Sequence, residues 1–229
     1  METESAERLE ELPIFPLATV LFPGAILPLH IFEDRYKQMM RHAVEHGGLF
    51  GLSYRSDASV GEETPPELGS IGCVAKIHAV MPLDEGKMNI ISTGVVRYKI
   101  LSIHQLEPFL VARVAPVTDD LEPGADLNRI FDEMADMCRE FLEAAQALDE
   151  SGAFLGQDLP EDPEAFSLLV SSALPIDNDS KQTLLEITST RSRLSRLRHY
   201  VTNALSDFTK RIQIRERAKG NGHGTIGEH

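Results

Sequence analysis

Nucleophilic hydrolysis needs a serine or cysteine held against a base, and the sequence offers few places for one. Cys73 and Cys138 lie 65 residues apart, with no histidine beside either in a recognisable motif and no CxxC pair. They read as free, buried thiols rather than a disulfide frame or a zinc cluster. Ser171 and Ser172 sit inside an apolar helical run. His42 and His46 have the i, i+4 spacing of helical metal ligands, but no third ligand accompanies them, and a helix C-terminus that favours histidine accounts for both. Asp119, Asp120 and Glu122 lack the alternating oxygen spacing of a calcium loop and read as a solvated linker. The Gly86-Lys87 pair is followed by Met88 and lacks the upstream glycine of a phosphate-cradling loop. These patterns predict no catalytic residues, no metal and no cofactor.

The elements that would position side chains follow from apolar spacing and turn formers. Leu12–Tyr36 (LPIFPLATVLFPGAILPLHIFEDRY) sets Pro13, Pro16, Pro23 and Pro28 among large apolar residues. Proline removes an amide donor and biases its predecessor to extended backbone, so this stretch predicts short strands, a turn at Pro23-Gly24 and Pro28 on a sheet edge. From Glu33 or Asp34 the period turns helical, with Tyr36, Met39, Met40, Ala43 and Val44 on one face and Gly47-Gly48 as the stop. Leu49–Tyr54, Ile71–Val80, Met88–Ile103 and Phe109–Val117 read as strands. The middle two form a hairpin turning at Asp84, Glu85 and Gly86, and Gly94 predicts a bulge. Ser56–Gly69 predicts a long mobile loop.

Beyond Thr118–Ala125 the period is helical throughout. Leu127 to Leu148 form one helix, Pro163 to Leu174 a second, and Asp177 or Asn178 caps a third. A fourth begins at Thr190 with the stripe Leu194, Leu197, Val201, Ala204, Leu205, Phe208 and Ile212. The expected fold class is α+β. A mostly antiparallel β pseudo-barrel with one helix covers residues 11–117, a linker 118–125 and a helical bundle 126–218, with disordered termini at 1–10 and 219–229.

With 229 residues, 42% hydrophobic and 25% charged, the chain has ordinary globular usage. No apolar run nears the ~18 residues of a membrane span, and the acidic start METESAERLEEL is unlike a signal peptide, so a cytoplasmic protein is expected. The net charge of −14 is uneven: residues 1–190 hold 13 Lys+Arg against 33 Asp+Glu, and residues 191–229 hold 9 against 3. The acidic body repels phosphate backbones and disfavours nucleic acid as a partner. The alternative is RNA binding through the basic last helix, which carries Arg191, Arg193, Arg196, Arg198, Lys210, Arg211 and Arg215.

Five motifs in order carry a family likeness: LPIFPL at Leu12–Leu17, LFPG at Leu21–Gly24, PLHIFEDRY at Pro28–Tyr36, IGCVAKI at Ile71–Ile77 and GVVRYKI at Gly94–Ile100. Together they resemble the N-terminal substrate-binding domain of Lon-type ATP-dependent proteases, most closely the stand-alone bacterial proteins made of this domain. KQTLLE at Lys181–Glu186, followed by an Arg-Leu helix, extends the likeness over residues 11–215. The resemblance implies a PUA-like pseudo-barrel followed by a helical bundle. It also implies unfolded or extended polypeptide as ligand, with a protease or chaperone as a further partner. Cys73 stands where the family more often has threonine. Full Lon proteases continue into ATPase and Ser-Lys peptidase modules that these residues do not match, so the expectation is a noncatalytic adaptor, sequestering or chaperone-like role.

Within the likeness, Phe22, Pro23, Phe32, Glu33, Arg35 and Tyr36 are the candidate polypeptide-binding residues, expected at the barrel rim as an apolar patch with polar edges. Ile14, Phe15, Leu17, Val20, Leu27, Leu29 and Ile31 are expected in the core. Arg35 is also a candidate for holding a loop through buried hydrogen bonds.

Overall fold

The proline-interrupted stretch folds into two short strands separated by a turn. The computed structural model describes residues 11–56, 64–120, 124–147 and 159–221. Their elements are β1 (Glu11–Leu17), β2 (Ile26–Ile31), α1 (Asp34–Glu45), β3 (Leu49–Tyr54), β4 (Ile71–Pro82), β5 (Met88–Gln105) and β6 (Leu110–Val117), then α2 (Gly124–Ala147), α3 (Pro163–Ala173), α4 (Asn178–Glu186) and α5 (Thr190–Asn221). The expected mobile loop and disordered ends fall largely on 57–63, 1–10 and 222–229, which lie outside the described residues. Residues 219–221 belong to α5.

The strands form one six-stranded sheet in the order β2-β5-β4-β3-β1-β6, and a further β5–β6 pairing closes five of them into a barrel. All pairs are antiparallel except β1–β3, a parallel pair whose crossover is β2 and α1. Two glycines with positive φ, Gly47 at 101° and Gly48 at 73°, stop α1. The Gly48 amide donates to the Ala43 carbonyl at 2.7 Å. Tyr36, Met39, Met40 and Ala43 turn into the barrel core, whereas Val44, expected on that face, is exposed because it lies at the margin of the apolar stripe. Pro28 lies on β2, which pairs with β5 alone, so its missing amide donor falls on an edge strand.

The long strand β5 changes partner near Gly94. Its first half carries β2 on one edge, from Met88 to Thr93, and its second half carries β6 on that edge, from Arg97 onward. Between them Val95 is the extra residue of a bulge against Val74 and Ala75 of β4. The Phe22–Ala25 turn occupies the gap: the Gly24 amide donates to the Gly94 carbonyl and the Gly94 amide to the Ala25 carbonyl, both at 2.9 Å. A Cβ on Gly94 would stand 2.1 Å from the Phe22 carbonyl oxygen, so only glycine allows this approach.

The turn delivers Phe22 into the helices. Its side chain is 0% exposed and shares a continuous apolar cluster with Met134, Phe166, Leu184, Leu194 and Leu197. Phe22 therefore does not stand at an exposed rim. In the bundle, α2 packs along α5. Glu133 pairs with Arg198 and Phe141 meets Phe208 edge-on at 5.1 Å, so both helices run in the same direction. Asp162 and Asp177 cap α3 and α4, each accepting a backbone amide at 2.8 Å.

The expected solvated linker is part of the seam. The Asp119 side chain is only 4% exposed and binds the guanidinium groups of Arg97 and Arg193, both buried. Arg97 also donates to the carbonyls of Leu185 at 3.0 Å and Ile187 at 2.8 Å, and Arg193 donates to Ser167 Oγ at 2.8 Å. Burial works against the charge on Arg193, and Asp119 opposes that effect. Spacing alone did not reveal this, because a single Asp in a charged linker looks the same whether solvated or enclosed. Asp119→Ala leaves buried Arg193 without its carboxylate and Arg97 with Glu164 alone, at 3.3 Å, and is expected to lower unfolding free energy by about 3–5 kcal/mol in urea denaturation. A loss below about 1 kcal/mol would show that the network contributes little.

Candidate functional site

The six sequence candidates separate in space. Phe22 and part-buried Pro23 belong to the seam. Phe32, immediately after β2, is 57% exposed and stacks on His30 at 6.0 Å. Glu33 is exposed at the start of α1 and pairs with Arg35 at 3.0 Å. Arg35 is part-exposed and lies over the Tyr36 ring at 4.7 Å. Tyr36 is buried against Phe15, with ring centroids 4.3 Å apart.

Arg35 and Tyr36 open onto a cleft of about 480 Å³. Its walls come from β1 through Ile14 and Pro16, from Arg55 after β3, from Thr64 and Pro65, and from the β5–β6 connection through Leu106, Pro108, Phe109 and Leu110. Leu106 is 61% exposed. The cleft is of mixed polarity: Leu106, Pro16 and Pro108 beside the edges of Tyr36 and Phe109, with Arg35, Arg55 and Glu107 as its charged members. Sequence reasoning found its α1 side but missed Arg55 and Leu106–Leu110. They are ordinary residues in connecting segments, and only barrel closure brings β6 beside β1.

A second cleft, of about 700 Å³, is lined by Glu11, Leu12, Pro13, His42, Glu45, His46 and Val111 among others. His42 and His46 stack at 4.1 Å, His42 meets Phe109 at 5.5 Å, and the His46 ring Nδ1 lies 2.7 Å from the His42 carbonyl. Among the described residues no group of three His, Cys, Asp or Glu side chains could hold a metal ion. Burial and then the neighbouring His46 hold His42 below the ordinary imidazole value of 6.5. The folded protein therefore binds fewer protons at His42 than the unfolded chain, and stability contributed there is lost as pH falls from about 6.5 toward the lowered folded value. The stability lost between pH 7.5 and 5.5 should be smaller in His42→Gln than in the parent, read by urea denaturation at both pH values. An equal or larger loss in the variant would contradict the sign.

The structure also places Ser102 Oγ 2.9 Å from His104 Nε2, and His104 Nδ1 3.1 Å from Glu11 Oε1. The order Ser-His-Glu has the connectivity of a hydrolytic relay, and no sequence motif announces it. Both His104 and Glu11 are well exposed, and Ser102 is not on either cleft lining. Nucleophilic catalysis draws on donors preorganised in a water-excluded site. Here the three groups form a surface hydrogen-bonded chain between β5 and β1. The serines and cysteines singled out in the sequence are engaged or enclosed within the fold. Ser171 donates to the Ser167 carbonyl and Ser172 to the Leu169 carbonyl, both at 2.7 Å. Burial pushes the thiols of Cys73 and Cys138 up to about 12. Neither thiol should be alkylated by iodoacetamide at pH 8 in the native protein, and both should react in urea. Rapid native labelling of either would contradict their enclosure.

The family model described as the ATP-dependent protease La (LON) substrate-binding domain matches residues 11–203. The Lon protease of Flavobacterium johnsoniae is 22% identical over 222 residues, covering 95% of this chain and 27% of that protein. The Lon protease of Porphyromonas gingivalis is 26% identical over 215 residues, covering 92% of this chain and 25% of that protein. The chain spans about a quarter of the length of these curated relatives. Among solved structures, the N-terminal domain of Mycobacterium avium complex Lon protease superposes with a TM-score of 0.65 at 19% identity, covering 84% of this chain and 98% of that one. A Lon N-terminal domain protein from Xanthomonas campestris gives 0.55 at 22% identity, covering 82% and 96%. With the described architecture and a family match running from β1 into α5, the chain belongs to the Lon substrate-binding domain family.

Proposed function

We propose that the protein is a noncatalytic recognition module for unfolded or extended polypeptide, acting in the cytoplasm as an adaptor, sequestering factor or chaperone-like protein. The cleft between Tyr36, Pro16 and the Leu106–Leu110 connection carries this reading, because it offers apolar and aromatic surface beside charged edges. Folded partners bury such side chains, whereas unfolded chains present them. Phe32 is a further exposed aromatic residue, outside the cleft lining. The family supports a polypeptide ligand, and the match is to the substrate-binding part of Lon alone. RNA binding through the last helix has less support: Arg193 is buried against Asp119, and Arg198 is paired with Glu133.

The test is fluorescence anisotropy with a labelled, reduced and alkylated polypeptide that cannot refold. Micromolar binding is expected, and Leu106→Asn should weaken it about tenfold, or about 1.4 kcal/mol. Since Leu106 is largely exposed, the fold should tolerate that change. Absence of binding, indifference to Leu106→Asn, or salt-steep binding to structured RNA in its place would contradict the proposal.

A further inference from the structure

The cleft contains one charged group whose hydrogen bonding the protein leaves incomplete. Arg55 follows β3 and is fixed there by its backbone amide, which donates to the Leu17 carbonyl at 2.8 Å. Its side chain lines the cleft, and its Nε is buried with no hydrogen-bond partner among the described residues. The neighbouring cation, Arg35, has Glu33 as counter-ion. Glu107, the carboxylate on the lining, is exposed to water. A desolvated guanidinium donor without an acceptor is unfavourable, and native structures retain few such groups. The Nε is enclosed, so a turn of the Arg55 side chain is needed to present Nε and the adjacent Nη together to a carboxylate, the paired geometry that guanidinium suits best.

Resting on the polypeptide-binding proposal above, we infer that Arg55 selects an acidic side chain, carried beside a large apolar residue in an extended polypeptide. The apolar neighbour occupies the surface formed by Tyr36, Pro108 and Phe109, and the Asp or Glu carboxylate meets Arg55. A side chain fits this role better than a chain terminus. An unfolded polypeptide has a single C-terminus, whereas roughly one residue in eight is acidic at ordinary composition. The charge pattern gives the site its contrast: in a protein of net charge −14, a cleft with Arg35 and Arg55 on its lining is a local reversal that the bulk of the surface does not offer to an acidic ligand.

The experiment compares two acetylated, amidated peptides that differ only by Glu or Gln next to a Phe, titrated against the full chain by anisotropy. The Glu peptide is expected to bind about tenfold more tightly. That ratio should fall to about one in Arg55→Met and recover partly in Arg55→Lys, which keeps the charge but loses the two-donor fork. Thermal unfolding of Arg55→Met should match or exceed the parent, since the change removes an unsatisfied donor; a large loss of stability would assign Arg55 a structural role and overturn the inference. Equal binding of both peptides, still weakened by Leu106→Asn, would overturn acid selection and leave the cleft proposal standing. Absence of binding by either peptide would overturn both. A Gln peptide with a free C-terminal carboxylate that matched the Glu peptide would move the recognition to a chain terminus and overturn the side-chain assignment.

Discussion

The structure depends on one buried carboxylate. Asp119, just past the last strand, joins Arg97 of β5 to Arg193 of α5, and the same two arginines reach carbonyls at the end of α4. Apolar burial is non-directional and would let the bundle slide over the barrel at little cost. Guanidinium groups with fixed donor forks allow few arrangements, so the network sets the register between the halves. Further hydrogen bonds repeat this from other directions. Tyr54 donates to Asp179 at 2.8 Å, Asn178 to the Ala18 carbonyl at 2.9 Å and Gln182 to the Ile71 carbonyl at 2.8 Å. Replacing such a network by apolar residues can leave stability unchanged, whereas removing one member strands the others.

Phe22 and Gly94 are the apolar counterpart of that network. The turn after Pro23 is held to β5 by two backbone hydrogen bonds, and its Phe22 side chain enters the helical core. Strands and helices therefore share a hydrophobic cluster, and the LFPG and GVVRYKI motifs meet in space although 70 residues separate Gly24 from Gly94. Gly94 admits the turn and Arg97, three residues on, anchors the helices. Much of the motif likeness thus has a structural cause at this junction.

The sequence made the element order legible because prolines, glycine stops, capping aspartates and apolar periods are local signals. The helix start at Pro163, the cap at Asp177 and the bulge beside Gly94 lie where those signals put them. The site was less legible because exposure depends on what a distant segment covers. Phe22 looks like a rim residue until helices pack over it, and Asp119 looks solvated until Arg97 and Arg193 close on it. Arg55, Leu106 and Phe109 carry no local mark at all. They become one surface only when β6 pairs with β1 and closes the barrel.

The proposed recognition rests on placement. The barrel holds the cleft, and the bundle is locked on by a network that does not use the cleft residues. The most direct test of this account is amide hydrogen exchange of the full chain with and without a saturating unfolded polypeptide. Slower exchange is predicted at residues 34–37, at Arg55 and across 105–111, with the seam unchanged. Protection confined to the basic face of α5, or no protection anywhere, would contradict polypeptide recognition at this cleft.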